Sequence, residues 1–242
     1  MVTSELEEAI RETIDPVMIE SGLTYIRTNV YMENVYIRTN VYKAKWSTDE
    51  VEHFVYLSAI KNRGMVLKSD FGLRNFVAEV FACRIIHSYG GDLFKEFKCD
   101  ELDSCTMRFP FGRLDQSDWV LRLPDFRSSE IDRRYRDFIQ DHLFPTIGRV
   151  TTLQEFLSLL AGNPICCPWY ASNGAIRAAQ IVAVARQIGL DAEQIRSMLE
   201  SRKAFIANGG SKTSMIRSDP DRFITQMLGD WMTGSHVNFR RQ

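Results

Sequence analysis

The pattern of apolar and polar residues predicts strands mainly in the first half of the chain and helices in the second. Alternating or continuous β-branched and aromatic runs, bounded by turn residues, predict strands over 25–31, 36–42, 54–60, 65–68, 106–111 and 119–123. Apolar residues three and four apart predict helices over 75–88, 129–144, 152–160, 173–188, 191–207 and 219–231. This order, without βαβ alternation, indicates an α+β fold with antiparallel hairpins.

No linker rich in proline, glycine or serine separates the two halves. We therefore expect a single domain, 1–242, with a strand-rich part over 1–127 and a helical part over 128–242. The chain is predicted to begin with an amphipathic helix, for which Ser4 and Glu7 form a capping-box pattern. Pro16 is expected to kink or end that helix, because proline has no N–H and clashes with the preceding turn. Gly22 is expected to mark the end of this helix.

The heptapeptide YIRTNVY occurs twice, at 25–31 and at 36–42. Because the two copies are offset by an odd number of residues, one continuous strand would turn them to opposite faces. A hairpin with residues 32–35 as its loop places Tyr31 opposite Tyr36 and Tyr25 opposite Tyr42. In that register one face carries Ile26, Thr28, Val30, Ile37, Thr39 and Val41. The other face carries Tyr25, Arg27, Asn29, Tyr31, Tyr36, Arg38, Asn40 and Tyr42.

Three interpretations of the repeat stay open. It is a recent duplication or sequence anomaly that a hairpin tolerates, an ordinary edge hairpin, or a partner-binding surface. The third interpretation rests on tyrosine and arginine, which are enriched at interaction hot spots. Its candidate partner-binding residues are Tyr25, Arg27, Tyr31, Tyr36, Arg38 and Tyr42.

Composition excludes several classes of protein. The 242 residues are 45% hydrophobic and 25% charged, which is typical of neither a disordered nor a collagen-like chain. The formal net charge is -1, and the arginines over 133–136 alternate with aspartates, so nucleic acid is not an expected partner. No apolar stretch reaches the roughly 18 residues of a membrane span, and no leader is visible. We therefore expect a cytoplasmic protein without a membrane partner.

The five cysteines, Cys83, Cys99, Cys105, Cys166 and Cys167, do not form a metal-binding motif. No C-x-x-C pair is present, and no histidine lies at ligand spacing. We expect buried, reduced thiols, no metal ion and no cofactor.

Two segments offer candidate chemistry. Residues 208–213 (NGGSKT) are similar to a phosphate-binding loop, but Ser211 stands where that motif needs glycine, so a flexible loop is expected. Cys166 or Cys167, with His142 as its base, is a candidate catalytic pair. These cysteines precede a predicted helix start at Asn173, and a helix N-terminus lowers the pKa of a thiol.

The N-terminal helix, the antiparallel meander and the segment Phe71–Asn75 (FGLRN) resemble small uncharacterised bacterial α+β proteins. Some of those proteins are encoded beside toxins and treated as immunity-type proteins. The segment Arg149–Leu160 (RVTTLQEFLSLL) is also similar to that pattern. The resemblance covers about the first half of the chain and this segment, and it implies a binding protein instead of a catalyst. It carries over no functional residue, and the YIRTNVY repeat departs from it.

The leading hypothesis is a non-enzymatic protein-binding protein of a bacterial cytoplasm, an immunity-type protein whose partner is a toxin. One alternative is an enzyme of unknown class with a site near Cys166–Asn173. Another is a dimerisation or scaffold module in the helical second half, which implies a homodimer.

Overall fold

The computed structural model describes residues 8, 10–32, 36–61, 65–89, 106–122, 130–162, 173–209 and 214–232. The chain divides into two compact units. The first unit comprises Met1–Leu73 and Arg108–Thr151, and the second comprises Arg74–Met107 and Thr152–Gln242. The interpretation of residues 1–242 as a single domain stays a prediction.

An antiparallel sheet is the main element of the first unit. Its described strands are β1 (Leu23–Met32), β2 (Tyr36–Ala44), β3 (Glu52–Lys61), β4 (Met65–Arg74), β5 (Met107–Pro110) and β6 (Val120–Arg122). They follow the order β1-β2-β3-β4-β5, and β6 also pairs with β4. Since β1 lies at one end of this order, it is an edge strand. The antiparallel sheet together with the helices confirms the predicted α+β class.

The described helices, in chain order, are α1 (Asp15–Glu20), α2 (Phe76–Tyr89), α3 (Gly112–Asp115), α4 (Ile131–Phe138), α5 (Phe144–Thr146), α6 (Leu153–Gly162), α7 (Gly174–Gln187), α8 (Ala192–Glu200), α9 (Lys203–Asn208), α10 (Met215–Ser218) and α11 (Pro220–Met232). The single helix expected over 191–207 is instead α8 and α9. Arg202, between them, donates to the carbonyls of Met198 and Ala161. The short helix α10 was not predicted.

Pro16, expected to kink or end the N-terminal helix, does not end it, and two π-helical turns, Ile10–Ile14 and Ile139–Leu143, show how a proline is accommodated. Pro16 and Pro145 each lie two residues beyond such a turn, and the helix continues through both prolines. Proline lacks an N–H, and its ring crowds the carbonyl four residues earlier. The wider π-helical turn makes room for that ring. Gly22, with a φ of +81°, then ends the segment as predicted.

Aromatic side chains form the part of the first unit's core beside β5 and β6. Phe111 stacks on Phe138 at a centroid distance of 4.3 Å, and Trp119 lies 5.0 Å from Tyr135 edge to face. The buried Tyr135 hydroxyl is 2.5 Å from that of Ser69 on β4. A buried phenol needs such a partner, so this contact ties α4 to the sheet.

The repeat forms the predicted hairpin, but with a different register. Met32 pairs with Tyr36 and Tyr31 with Ile37, one position away from the expected pair Tyr31–Tyr36. Tyr25 still pairs with Tyr42, because a bulge between Tyr25 and Arg27 takes up the extra residue.

The two copies of YIRTNVY therefore turn equivalent residues to opposite faces between residue 27 and the loop. Thr28 pairs with Asn40 and shares its face, whereas Thr39, the equivalent of Thr28, pairs with Asn29 on the other face. The expected division into one apolar and one Tyr/Arg face is wrong, because a one-residue change of register inverts every side chain of a strand. The adopted register buries Thr39, whereas Val30 on β1 is 48% exposed.

In the second unit, α7 is buried along most of its length, from Gly174 to Ala185. Asn173 caps it, since its side chain accepts the N–H groups of Ala175 and Ile176 at 3.0 and 3.2 Å. The buried Arg177 donates from Nε at 2.8 Å, and also from Nη2, to the carbonyl of Leu160 near the end of α6. This guanidinium satisfies a carbonyl that the helix itself leaves without a donor.

Cys83, buried in α2, is disulfide-bonded, so the expectation of a reduced thiol is wrong for this residue. The other four cysteines, the cap at Ser4 and the loop segment 210–213 lie outside the described residues. Within the described part of the chain, none of the helices has both the length and the apolar character that a membrane crossing requires.

Candidate functional site

The candidate site is a pocket of about 470 Å³ in the first unit, which we call the hairpin pocket. It is bounded by the N-terminal helical segment and by β1, β2 and β3. Its lining residues are Glu8, Ile10, Arg11, Asp15, Tyr25, Thr28, Arg38, Asn40, Leu57 and Ala59. A pocket of this volume accommodates a small ligand or the side chain of a partner.

The alternation of side chains along the strands gives the hairpin pocket a polar wall and an apolar floor. Arg38 and Asn40 are two residues apart on β2 and share a face, and they pair with Ala59 and Leu57 of β3. Leu57 and Ala59 are buried and supply the floor. Thr28 extends the polar row onto β1, because it pairs with Asn40.

A chain of hydrogen bonds with one direction runs along this wall. The Thr28 hydroxyl donates to Oδ1 of Asn40 at 2.7 Å. Because Thr28 has a single proton to give, the Tyr25 hydroxyl, 2.7 Å from Oγ1 of Thr28, is the donor in that contact. The Asn40 amide contacts the Tyr42 hydroxyl, and Tyr42 in turn donates to Oδ1 of Asp15. The chain therefore begins at the exposed Tyr25 and ends on a carboxylate.

Tyr42 is the buried link of this chain. Burial is the largest cause that raises the pKa of its phenol well above the ordinary value, and the hydrogen bond to Asp15 raises it further. The hydrogen bond from Asn40 acts in the opposite direction but does not outweigh them. Tyr42 thus stays protonated and remains a donor to Asp15, which keeps the wall in one arrangement.

The charges in the lining balance. Glu8 and Asp15 are acidic, whereas Arg11 and Arg38 are basic. Since the formal charges cancel, the hairpin pocket offers hydrogen-bonding groups and an apolar floor without a net charge. The Tyr25 hydroxyl donates its hydrogen bond to Thr28, so it offers only lone pairs to an incoming group.

A second pocket of the first unit, about 660 Å³ in volume, contains His142. Asp115, one of its acidic residues, is already engaged, because it accepts hydrogen bonds from Ser117 at 2.6 Å and from Trp119 at 2.8 Å. Burial raises the pKa of Asp115, but these hydrogen bonds and the charge of His142 outweigh burial and lower it. The guanidinium of Arg134 lies 4.4 Å from the centre of the Trp119 ring. These contacts stabilise the loop around Trp119, which gives this pocket a structural role.

The structure separates the six candidate partner-binding residues. Tyr25 and Arg38 line the hairpin pocket, and Tyr42 lies buried behind its wall. Arg27 pairs with Val41 and so lies on the opposite face of the sheet. The side chains of Tyr31 and Tyr36 lie outside the description of the structure.

Only one member of the candidate catalytic pair, His142, lies within the described residues. His142 stacks against Phe138 at 5.8 Å in the second pocket, and Cys166 and Cys167 lie outside the described residues. Within the part of the chain that is described, no group of three His, Cys, Asp or Glu side chains has an arrangement that could hold a metal ion.

Sequence reasoning missed Asp15, Thr28 and Asn40 as members of one site. Thr28 and Asn40 are positions four and five of YIRTNVY, in different copies. Only the shifted register places them side by side, and no local pattern reports that shift. Asp15 gives a weak signal, since it is an acidic residue directly before Pro16.

Comparison with known proteins found no match among family models, curated proteins or solved structures.

Proposed function

We propose that this chain is a non-enzymatic binding protein that takes a polar side chain of a partner protein into the hairpin pocket. One observation supports the proposal above the others. The wall from Tyr25 to Asp15 is a continuous hydrogen-bond chain in which each donor already has its acceptor. Such a wall is preorganised and presents acceptor lone pairs at Tyr25, which suits recognition of a donor-bearing side chain.

The surroundings of the pocket fit a protein partner. Beside the pocket, Tyr25 and Ile26 are 46% and 45% exposed. Tyrosine next to an exposed aliphatic side chain is typical of the residues that anchor protein interfaces. A toxin is the partner that the resemblance to immunity-type proteins implies, and it is part of this proposal.

Photocrosslinking tests the proposal with the full chain in cells of the organism that encodes it. A benzophenone amino acid in place of Arg11, which lines the pocket, is compared with the same group in place of Ile19. Ile19 belongs to the same helical segment and is 54% exposed, but it does not line the pocket. We expect one crosslinked protein from position 11 and not from position 19.

A second variant pair ties crosslinking to the hydrogen-bond chain. In the position 11 background, Asn40→Leu removes the amide that links Thr28 to Tyr42 and is expected to reduce the crosslink at least fivefold. Asn29→Leu makes the same change at the equivalent position of the other copy, on the opposite face of the sheet. It is expected to leave the crosslink from position 11 unchanged. Equal crosslinking from positions 11 and 19, or an equal effect of the two leucines, contradicts the proposal.

The cellular compartment of this chain can also be tested. The cytoplasm is the compartment expected from the sequence, yet disulfides such as that of Cys83 persist mainly in oxidising compartments. Alkylation of the chain in freshly lysed native cells, followed by mass spectrometry, decides between them. A reduced Cys83 supports the cytoplasm, and an oxidised Cys83 overturns it.

The two alternatives stay predictions. The structure gives Asn173 a structural role, because it caps α7 and its amide donates to the carbonyl of Gly209 at 2.8 Å. No described contact favours an enzyme near Cys166–Asn173 or an interface of the helical second half.

A further inference from the structure

The wall of the hairpin pocket offers a hydrogen-bond acceptor and a hydrogen-bond donor on either side of Thr28. The Tyr25 hydroxyl and Oδ1 of Asn40 each lie 2.7 Å from Oγ1 of Thr28. Tyr25 is the donor to Thr28, so its hydroxyl oxygen presents only lone pairs to the pocket. This end of the wall accepts a hydrogen bond from an incoming group and has none to give.

Asn40 supplies the donor. Its Oδ1 accepts from Thr28, and its amide nitrogen, which carries two protons, uses one of them for the Tyr42 hydroxyl. Among the contacts of the described residues, no acceptor takes the second proton. Since Asn40 is half-buried and lines the pocket, this N–H is available to a group inside it.

These two wall positions suit a group with the complementary arrangement. Such a group carries a donor for Tyr25 and, close to it, an acceptor for Asn40. A primary amide has both, because its NH₂ group donates and its carbonyl oxygen accepts. A carboxylate lacks the donor, whereas an ammonium or guanidinium group lacks the acceptor. A hydroxyl has both functions on one atom, whereas the two wall positions are separated by the Thr28 hydroxyl.

The charges of the lining favour a neutral group. The acidic residues Glu8 and Asp15 balance the basic residues Arg11 and Arg38. A charged side chain that leaves water for this lining finds no net charge to compensate its own, and such a transfer is costly. An amide is neutral and avoids this cost.

The apolar floor favours a side chain that carries its polar group on methylene groups. Leu57 is fully buried and Ala59 is 3% exposed, so the floor offers apolar contact only. Methylene groups that leave water for such a surface contribute favourably to binding. Glutamine carries its primary amide on a stem of this kind.

We propose that the side chain that enters the hairpin pocket is a glutamine, with its NH₂ group donating to Tyr25 and its carbonyl accepting from Asn40. Its methylene groups then lie on Leu57 and Ala59. This inference rests on the proposed function, because it names the chemistry of the partner side chain at the same site. The pairing of Asn40 with a partner amide makes Asn40 a specificity-determining residue.

A set of amino-acid probes tests the choice of side chain with the full chain in solution. The probes are the N-acetyl, N′-methylamide derivatives of glutamine, glutamate and lysine, which differ only in their side chains. Titration of the ¹⁵N-labelled chain, followed by NMR, measures each dissociation constant, which is expected in about the millimolar range for so few atoms. We expect glutamine to bind at least about fivefold more tightly than the other two probes. A preference for glutamate or lysine, or no saturable binding of the glutamine probe, overturns the proposal.

A fourth probe isolates the hydrogen bond to Tyr25. N,N-dimethylglutamine in the same derivative keeps the carbonyl but has no side-chain N–H, and it is expected to bind about fivefold more weakly than glutamine. Tyr25→Phe removes the acceptor and is expected to abolish this difference between the probes. Tyr89→Phe is the matched control, since its hydroxyl donates to Asp230 at 2.7 Å in the second unit, and it is expected to keep the difference. A Tyr25→Phe chain that still distinguishes the two probes contradicts the proposed hydrogen bond.

A variant pair tests the donor. Asn40→Asp keeps an acceptor for Thr28 but has no amide proton, so it is expected to weaken the glutamine probe at least about fivefold. Asn29→Asp makes the same change on the opposite face of the sheet and is expected to have no effect. The amide spectrum of each variant shows in the same titration that the chain is folded. Equal effects of the two variants overturn the role of Asn40.

The two proposals fail separately. A preference for lysine or glutamate, together with a crosslink from position 11, overturns the glutamine and leaves the hairpin pocket as the partner site. A preference for glutamine without a specific crosslink from position 11 overturns the protein partner and supports the choice of an amide.

Discussion

Tyr42 on β2 donates its hydroxyl proton to the carboxylate of Asp15 in α1, across 27 residues of sequence. The phenol is buried, and Asn40 contacts it from the same strand. This hydrogen bond joins the second copy of YIRTNVY to the N-terminal helical segment. It is the contact that holds the wall of the hairpin pocket against its helix.

Removing the Tyr42 hydroxyl tests the importance of this link. Tyr42→Phe leaves the Asp15 carboxylate and the Asn40 amide without their common partner, and we expect a loss of about 1–2 kcal/mol in the free energy of unfolding. Tyr25→Phe removes the hydroxyl at the exposed end of the same chain and is expected to cost at most about 0.5 kcal/mol. Urea denaturation of both variants at neutral pH measures the difference, and equal losses contradict the buried link.

The stability of the protein is expected to fall in mild acid because of His53. Burial lowers the pKa of this side chain from 6.5 to about 4. The centre of the His53 ring lies 6.3 Å from that of the Trp46 ring and 5.9 Å from that of the Phe71 ring. The neutral imidazole is therefore the form that packs against these rings. The unfolded chain binds the proton more readily than the folded one. The contribution of the neutral His53 to the free energy of unfolding is therefore fully present above pH 6.5. It decreases by about 3 kcal/mol as the pH falls from 6.5 towards 4.

Two histidine variants isolate this effect from that of the carboxylates. His53→Gln cannot gain the proton, so its free energy of unfolding is expected to change less between pH 6.5 and 4 than that of the unmodified chain. His87→Gln removes an exposed histidine and is expected to keep the original slope. Urea denaturation across this pH range gives both slopes. The same slope in the two variants shows that His53 is not the group responsible.

Gly174 is expected to tolerate no larger residue. A Cβ atom there would overlap the backbone carbonyl of Phe205 and come within 2.7 Å of the nitrogen of Ile206. Both partners are backbone atoms of α9 and cannot move aside by changing rotamer. We expect Gly174→Ala to destabilise the protein by about 3 kcal/mol, which thermal or urea denaturation measures.

Gly229 provides the matched control in the interior of a helix. It lies in α11, and a Cβ atom there meets nothing within 4 Å. Gly229→Ala is expected to stabilise the protein by about 0.5–1 kcal/mol, since alanine loses less backbone entropy than glycine. A Gly174→Ala chain that is as stable as the unmodified one contradicts the close approach of α7 and α9.

Local signals in the sequence were enough to locate most elements. Asn75 was predicted to start a helix, and its side chain accepts the N–H of Ala78 at 2.8 Å at the start of α2. Asn173 caps α7 in the same way. These predictions hold because a cap depends on residues within one turn. Pro16 was expected to kink or end its helix, but the π-helical turn that lets the helix continue through it has no signature in the pattern of apolar residues.

The candidate site was predictable only in part. Tyrosine and arginine in the repeat pointed to Tyr25 and Arg38, which do line the hairpin pocket. Nothing in the periodicity connects Asp15 with Tyr42, because a contact across 27 residues depends on how the helical segment packs on the sheet. The proposed function therefore draws on pairing and burial that the tertiary structure supplied.

The YIRTNVY repeat shows most clearly what the sequence determines and what the tertiary structure decides. By itself, the sequence determined that YIRTNVY forms a strand in both copies and that the two strands pair as a hairpin, because β propensity and alternation are properties of the heptapeptide. It could not determine the register, since both copies have the same pattern. Tertiary contacts decided that: β2 is held between two strands, whereas β1 has one neighbouring strand among the described residues, and a bulge. Identical residues such as Asn29 and Asn40 thus face opposite sides of the sheet, and only Asn40 belongs to the pocket.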